Sequence, residues 1–287
     1  MTLEKVTDRV YASINPAGGN AGIIILQNQV VVIDSQFLKQ AKQLRGEIEE
    51  VTPKKISHLL LTHSHSDHVF GNEVFRDCEI VSHRSLKARM EELLETTWSK
   101  ESLEKQIAEL KKTDAERASR FEGVTITLPT HTFDKDFRIT DGEQEVIMTH
   151  VGGHTADSSI VHFPTLRVLF SGDLIFCKTF PYGGDPTADP DQWLQALGDI
   201  MRMPVDTIVP GHGPICDKRE VQVYIDFIET VKKRMTNMID AGKTEKEITK
   251  DEGYPEFYSK SSDQRRQSTL NQWFKVWYDR HSTGAKR

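Results

Sequence analysis

Nothing in this sequence limits its folding more than the run His63-Ser64-His65-Ser66-Asp67-His68, which directly follows an apolar stretch. That stretch, from Ile56 to Thr62, predicts a buried strand. Imidazole and carboxylate groups together suit zinc, and also iron or manganese. Four such groups in six positions exceed what one tetrahedral ion needs, because one short loop cannot wrap one ion completely. The run therefore predicts two ions that share the loop and take further ligands from elsewhere.

Three later positions offer those further ligands. His154 lies in Gly152-Gly153-His154-Thr155, Asp173 lies in Ser171-Gly172-Asp173, and His212 lies between two glycines. Each follows a predicted strand and occupies a glycine-rich turn. Because strand ends carry the functional loops of layered α/β proteins, we expect these side chains to meet the first run.

Strand and helix patterns alternate along the chain. A hairpin is predicted for residues 23–33, followed by a helix that Ser35 caps and that buries Leu44. Helical spacing returns from Trp193 and again from Val221. Further short strands are predicted for residues 124–128, 137–139, 146–149, 158–163, 168–170 and 207–209. This order predicts two packed sheets with helices outside.

Residues 84–120 form a predicted helical insert, whose third helix begins at a capping box of Thr113 and Glu116. Two interpretations of the insert stay open: a helical hairpin packed on the domain, or a cover over the site. We take residues 1–240 as the main domain and residues 241–287 as a helical extension packed on it. The expected docking side chains of the extension are Trp273, Phe274, Trp277 and Tyr278.

Charge and cysteine content narrow the class of protein. The net charge of −6 and the pI near 6.0 argue against a nucleic-acid partner, which would need a basic stripe. The three cysteines are widely spaced and suggest no disulfide framework. The first residues lack the apolar core of a signal peptide, and no stretch is apolar enough to span a membrane. We therefore expect a cytoplasmic protein acting on a small molecule, with a homodimer left open.

Taken in order, these motifs resemble the metallo-β-lactamase superfamily. Asp34 follows a strand, and the HxHxDH run at 63–68, His154, Asp173 and His212 come after it. The resemblance extends from about residue 18 to about residue 216. It implies an α/β fold, the αββα sandwich of two mixed β-sheets flanked by helices.

The resemblance also implies a ligand set for two metal ions, taken as Zn²⁺ with iron or manganese as alternatives. Asp173 would bridge the two ions, and Asp34 would support the histidine loop by a hydrogen bond. A hydroxide shared by the ions would attack a carbonyl. Asp67 would orient the hydroxide and shuttle a proton. The first ion would take His63, His65 and His154, and the second would take Asp67, His68 and His212.

The roles of the other polar residues are less sharply defined by the sequence. Tyr182, after the bridging aspartate, could donate a hydrogen bond to a developing oxyanion or could simply pack before Gly183. His150 comes four residues before His154 and could support it. The remaining histidines and the three cysteines are interpreted as structural.

Within the superfamily, a thioester, ester or lactone hydrolase is the prediction. Asp173 disfavours a dedicated β-lactamase, in which cysteine or serine usually occupies that place, although promiscuous β-lactam hydrolysis stays open. His65 stands where the flavodiiron branch has glutamate. A basic cluster for glutathione is absent apart from Lys218 and Arg219. A mono-iron persulfide dioxygenase and a binding module without catalysis are the alternatives from other classes.

Overall fold

Two mixed β-sheets packed face to face form the centre of the protein. The computed structural model describes residues 2–258 and 263–284. The first sheet contains the strands β1 Thr2–Lys5, β2 Val10–Ile14, β3 Ala21–Ile25, β4 Val30–Ile33, β5 Ile56–Leu61, β6 Glu79–His83 and β7 His131–Phe133, in that order. Neighbours are antiparallel as far as β4, and the pairs from β4 to β7 are parallel.

The second sheet has the order β12-β11-β10-β9-β8. Its strands are β8 Asp136–Asp141, β9 Gln144–His150, β10 Ser159–Phe163, β11 Val168–Phe176 and β12 Thr207–His212. The pairs from β8 to β11 are antiparallel, whereas β11 and β12 are parallel. The αββα sandwich predicted from the sequence is therefore confirmed.

Helices cover the outer faces of both sheets. In the described residues they are α1 Leu38–Val51, α2 Ser66–Val69, α3 Arg84–Leu94, α4 Lys100–Thr113, α5 Ala115–Ser119, α6 Pro190–Arg202, α7 Lys218–Asp240, α8 Glu245–Thr249 and α9 Asp263–Gly284. Short 3-10 turns lie at Asn72–Phe75 and Pro164–Leu166. No helix in the described ranges combines the length and the apolar character that crossing a bilayer requires.

Three apolar layers follow from this arrangement. Alternate side chains of the strands, such as Leu60 and Phe170, meet between the two sheets. Leu59 and Leu44 pack in the layer under α1 and α3. The third layer, centred on the buried ring of Trp193, joins the second sheet to α6, α7 and α9. The seven predicted metal ligands lie at one edge of the sandwich, close to where strands of both sheets end.

The structure corrects the prediction for residues 124–128, which form no strand. Their backbone is bonded to side chains instead of a neighbouring strand: Thr125 N donates to Glu73 and Thr127 O accepts from Asn72. Their apolar side chains are half-buried against the layer beneath α3. The alternation of apolar residues that predicted a strand here therefore reflects side-chain packing, and not pairing with another strand.

Two predicted helix caps are also wrong. Ser35 lies before the start of α1, and its hydroxyl donates to His68 O and Asn72 Oδ1, which connects it to the histidine loop. The third helix of the insert begins at Asp114, whose carboxylate accepts from Arg117 N at 2.9 Å. Aspartate is at least as favourable as threonine at the N-cap of a helix, so the observed cap differs from the predicted one by a single residue.

The C-terminal helix α9 packs on α7 and on the loop before α6. Trp273, Phe274 and Trp277 are buried there, as expected. Tyr278 is 47% exposed and packs on Phe274 only at the surface, so its predicted docking role is wrong. The division of the chain at residue 240 stays a prediction.

Candidate metal centre

The fold brings together the seven side chains that the sequence singled out as metal ligands. Within each of two groups, the ligand atoms lie within 4.8 Å of one another. The first group is His63, His65, His154 and Asp173, and the second is Asp67, His68 and His212. Their ligand roles stay predictions, but their convergence is a property of the fold.

The two sheets contribute unequal parts of this cluster. The run from His63 to His68 leaves the end of β5 and enters α2. His154 lies in the turn between β9 and β10, and His212 is the last residue of β12. Ligand-type side chains from both sheets therefore meet at one edge of the sandwich.

Asp173 lies inside β11, whereas the sequence predicted a turn after a strand ending at Phe170. The pairing with β12 continues past it, but the register shifts on both sides of Gly172. Gly172 has a φ of +50°, a conformation that favours glycine. This irregularity aims the Asp173 side chain at the histidines, which is a common role of bulges beside active sites.

The carboxylate of Asp173 is the centre of the cluster. Its Oδ2 lies 3.5 Å from His63 Nε2 and 3.4 Å from His154 Nε2 in the first group. In the second group, Oδ2 lies 3.3 Å from His212 Nε2, and Oδ1 lies 3.1 Å from His68 Nε2. One carboxylate therefore borders both groups, as a bridging ligand must.

Several buried polar atoms of this cluster make no hydrogen bond to any residue in the described ranges. They are His63 Nε2, His68 Nε2 and Asp173 Oδ1. Burying such atoms without partners is costly, and most buried polar atoms in proteins have one. A cation between the imidazole and carboxylate groups would remove that cost. The donor set fits zinc, iron or manganese.

For Asp173 and His154, burial and the neighbouring charges favour the protonation states that bind metals. Burial would raise the pKa of Asp173, but the neighbouring His212, His68 and His63 hold that pKa well below its usual range. Burial lowers the pKa of His154 well below its ordinary value. An ionised carboxylate and a neutral imidazole are the forms that coordinate cations.

Asp34 supports the second group. Its Oδ2 accepts from His68 Nδ1 at 2.8 Å and from Thr62 Oγ1 at 2.7 Å, and its Oδ1 accepts from Thr62 N at 2.8 Å. The expected hydrogen bond to the histidine loop is thus confirmed. When Nδ1 of His68 carries the proton, its Nε2 keeps a lone pair that is available to a cation beside Asp173. Asp34 adopts a positive φ of 58°, which aspartate tolerates better than most residues.

The sequence analysis missed Asp185, which supports the first group in the same way. Its Oδ2 lies 3.2 Å from His65 Nε2, while His65 Nδ1 lies 3.0 Å from His154 Nε2. Burial alone would lower the pKa of His65, but the hydrogen bond and charge of Asp185 raise it. Asp185 follows two glycines in a loop, and no local pattern distinguishes it from a turn aspartate.

A cavity of about 670 Å³ opens above the cluster, within the size range of small-molecule sites. His65, Asp67 and His212 form its floor. The Phe176 ring forms part of the wall and stacks on His212, with centroids 4.9 Å apart and planes inclined by 2°. The cavity therefore leads directly to the cluster.

Tyr182 lines this cavity beside the first group. Its ring centroid lies 5.8 Å from that of His65 and 6.4 Å from that of His154. Burial, helped by the charge of Asp185, raises the pKa of Tyr182, so the phenol keeps its proton. Its place is compatible with a hydrogen-bond donor to substrate.

Other candidates lie away from the cluster. The His150 ring stacks on His83 with centroids 3.7 Å apart, so it does not support His154. Lys218 Nζ donates to the backbone oxygens of α6 and Arg219 pairs with Asp217, so neither belongs to a basic cluster at the site. The three cysteines are free thiols.

Close packing of glycines beneath the ligands fixes the position of the cluster. A Cβ at Gly211, next to His212, would lie 2.0 Å from Asp173 Oδ1 and 2.6 Å from the carbonyl carbon of Gly172. Only glycine allows β12 to approach β11 this closely. The glycine pattern that the sequence offered as a turn is therefore a requirement of strand contact.

Comparison with known proteins agrees with this geometry. The family model of the metallo-β-lactamase superfamily matches residues 14–212. The chain is 28% identical over 240 residues to a metallo-β-lactamase type 2 from Elizabethkingia meningoseptica, covering 79% of this chain and 84% of that protein. It is 23% identical over 246 residues to a linear primary-alkylsulfatase from Pseudomonas sp. (strain ATCC 19151), covering 76% of this chain. The chain spans about half the length of the alkylsulfatase, 47%.

Among solved structures, a metallo-β-lactamase from Pontibacter korlensis superimposes with a TM-score of 0.60. The superposition covers 79% of this chain and 98% of the other, at 20% sequence identity. At that identity the likeness establishes the fold and leaves the reaction to the site residues.

Proposed function

The chain belongs to the metallo-β-lactamase superfamily, and on that premise we propose that it is a dinuclear metal-dependent hydrolase of a small carbonyl substrate. The substrate would be a thioester, an ester or a lactone. The observation that carries the proposal is the Asp173 carboxylate, which borders four histidine rings at 3.1 to 3.5 Å and so belongs to both ligand groups. A structural aspartate would have no reason to be buried among so many imidazoles.

The chemistry divides between the ions and the side chains. When bound, two divalent ions would supply an activated water at neutral pH and would polarise the substrate carbonyl. Asp67, which faces the cavity 3.4 Å from His212 Nε2, would orient that water and accept its proton at Oδ2. Burial opposes ionisation of Asp67, but His68 and His212 lower its pKa, which keeps the carboxylate ionised.

The cavity wall would complete the site. Tyr182 would donate a hydrogen bond from its phenol to the oxygen of the substrate carbonyl as negative charge develops there. Phe176 would exclude water from one side of the cluster, because its ring covers His212. Asp34 and Asp185 would orient the imidazoles of His68 and His65 without touching substrate.

A second candidate is β-lactam hydrolysis, which the relative named metallo-β-lactamase type 2 favours. A β-lactam is also a carbonyl compound, so the same floor could act on it. Asp173 is the residue that argues against a dedicated β-lactamase. A cytoplasmic location and a homodimer stay predictions.

The experiment combines elemental analysis of the purified protein with a panel of thioester, ester, lactone and β-lactam substrates. We expect about two zinc, iron or manganese ions per chain and turnover of one carbonyl class. His65→Ala should abolish hydrolysis and lower the metal content. His131→Ala is the matched control, because His131 is exposed and lies outside both groups.

Three outcomes would contradict the proposal. Full activity of His65→Ala would remove the first group from the reaction. A single iron with oxygen uptake would point to a dioxygenase of this fold, and a protein purified without any metal would point to a binding module.

A further inference from the structure

Three arginines line the cavity above the metal-ligand cluster, although no pattern in the sequence indicated that they would meet. Arg89 comes from α3, Arg117 from α5 and Arg265 from the first turns of α9. The helical insert and the C-terminal helix thus supply the basic side chains. The carboxylates among the described lining residues are Asp67, Asp173 and Asp185, all of which contact histidines of the floor.

The cavity would carry a net positive charge once two metal ions are bound. The three aspartates balance the three arginines, so two bound dications would leave the cavity with a net positive charge. Arg89 pairs with Glu92 at 2.7 Å, but Glu92 is an exposed neighbour on the same helix, and such surface pairs are weak. A cleft of one charge sign concentrates and steers ligands of the opposite sign.

Arg265 is held in place over the floor. Its guanidinium carbon lies 4.8 Å from the centroid of the Phe176 ring, within the range of a cation–π interaction. Because Phe176 stacks on His212, Arg265 lies one ring away from the second ligand group. The guanidinium is half-buried, which strengthens its interaction with an anion compared with a fully exposed side chain.

Apolar side chains also line the cavity. Leu93 and Trp98 of the insert belong to the lining, as do Phe176 and Tyr182. The Trp98 ring packs edge-on against Phe70, with centroids 4.9 Å apart, so the insert is anchored to the domain. The lining of the cavity therefore combines candidate metal ligands, apolar side chains and basic side chains.

From this arrangement we propose that the substrate is a small organic anion. Its carboxylate, sulfonate or sulfate group binds Arg89, Arg117 and Arg265, its apolar body contacts Trp98 and Phe176, and its carbonyl meets the floor. The assignment rests on the proposed hydrolase function and specifies its substrate class. Guanidinium groups suit such oxyanions because they donate two parallel hydrogen bonds.

The test uses three acetate esters that share the bond to be cleaved. Two are anionic, para-acetoxybenzoate and para-acetoxybenzenesulfonate, and methyl para-acetoxybenzoate is neutral. Each variant is compared with wild-type metal-loaded enzyme on the same ester, so that differences in leaving-group reactivity cancel. The variants are Arg89→Gln, Arg117→Gln and Arg265→Gln, with Arg84→Gln as the matched control, since Arg84 begins the same helix as Arg89 but lies outside the cavity lining.

We expect Arg265→Gln and Arg89→Gln to lower kcat/KM for the anionic esters about tenfold, because hydrogen bonds to charged groups are among the stronger ones. The neutral ester should change less than about twofold, and Arg84→Gln should leave all three unchanged. Arg265→Lys should restore part of the loss, and added salt should weaken only the anionic reactions. A response to one anionic ester alone would narrow the class to that oxyanion.

Equal losses on all three esters, or no loss on any, would overturn the assignment. Isothermal titration calorimetry of benzoate and benzamide gives a readout apart from turnover, and Arg265→Gln should weaken benzoate binding only. If wild-type enzyme cleaves no ester but Arg265→Gln still weakens benzoate binding, the hydrolase proposal fails and the anion site stands. If esters are cleaved without any effect of the arginines, the anion site fails and the hydrolase proposal stands.

Discussion

Asp185 Oδ2 lies 3.2 Å from Nε2 of His65, although 120 residues separate the two in the chain. The contact keeps a proton on Nε2 and leaves the lone pair of Nδ1 directed at the first ligand group. Asp34, which follows the neighbouring strand β4, does the same for His68. Each ligand group therefore has a histidine whose orientation depends on a carboxylate from outside the histidine loop.

Asp185→Asn should weaken metal binding at the first group about tenfold, within the usual range for a residue that orients a ligand. The amide keeps the shape of the side chain but loses the charge that raises the pKa of His65. Competition with a chelator measures the affinity. Asp199→Asn, on the surface of α6, is the control. An unchanged affinity would make Asp185 a turn residue only.

Tyr182→Phe should lower kcat by at least about tenfold, since loss of one donor to a developing oxyanion often costs more. The ring stays, so its packing beside His65 is preserved and the metal content should not change. Steady-state kinetics and elemental analysis on the same sample check both halves. An unaltered kcat would reduce Tyr182 to a packing residue.

Gly211→Ala should destabilise the protein and disturb the second ligand group, because the added methyl would meet Asp173 Oδ1 and the backbone of Gly172. We expect a loss of about 1–3 kcal/mol in the free energy of unfolding, typical of overpacking. The opposite result is expected for Gly46→Ala, which has open space around it in α1 and should gain up to about 1 kcal/mol. Urea denaturation distinguishes the two; similar shifts in both would contradict the strand contact.

Acid should destabilise the stacked pair of His83 and His150. Burial, and then the charge of His150, lower the pKa of His83 in the folded protein. Below about pH 6.5 the unfolded chain takes up a proton that folded His83 resists, so the free energy of unfolding falls as the pH drops from there towards the folded pKa. Above that window His83 is neutral in both states and contributes no pH dependence.

His150→Gln tests this pair, because glutamine removes the neighbouring charge and can still donate to Ala156 O, as His150 does. The loss of stability between pH 7.5 and pH 5.5 should be smaller than in wild type by up to about 1 kcal/mol. Denaturant unfolding of both proteins at each pH gives the difference, in which the contributions of other histidines cancel. Equal losses would show that the stack does not respond to pH.

The predictable part of the site was local. His63, His65, Asp67 and His68 stand beside one another after a strand whose apolar run is unmistakable. Their neighbours Asp34 and His212 are also placed by short patterns, an apolar strand followed by a polar or glycine-flanked residue. Such patterns report the backbone directly, which is why both the sandwich and the cluster could be expected.

The remaining features depend on contacts that no short pattern encodes. Asp185 and Arg265 reach the site from separate loops and helices, so each resembles an ordinary surface residue in the sequence. Asp173 was expected in a turn because Gly172 precedes it, but pairing with β12 keeps β11 extended through it. In each of these cases, contacts with residues distant in the sequence determine where the side chain lies.

The ligand cluster joins the ends of two sheets that otherwise meet through side-chain packing and a few hydrogen bonds, such as that from Ser159 N to Thr62 O. With metal bound, the cluster would stabilise the contact between the sheets, because the free energy of metal binding adds to that of folding. A cell deprived of metal would then hold a chain that opens more often and is degraded sooner. The abundance of the protein, and not only its rate of turnover, would follow the supply of metal.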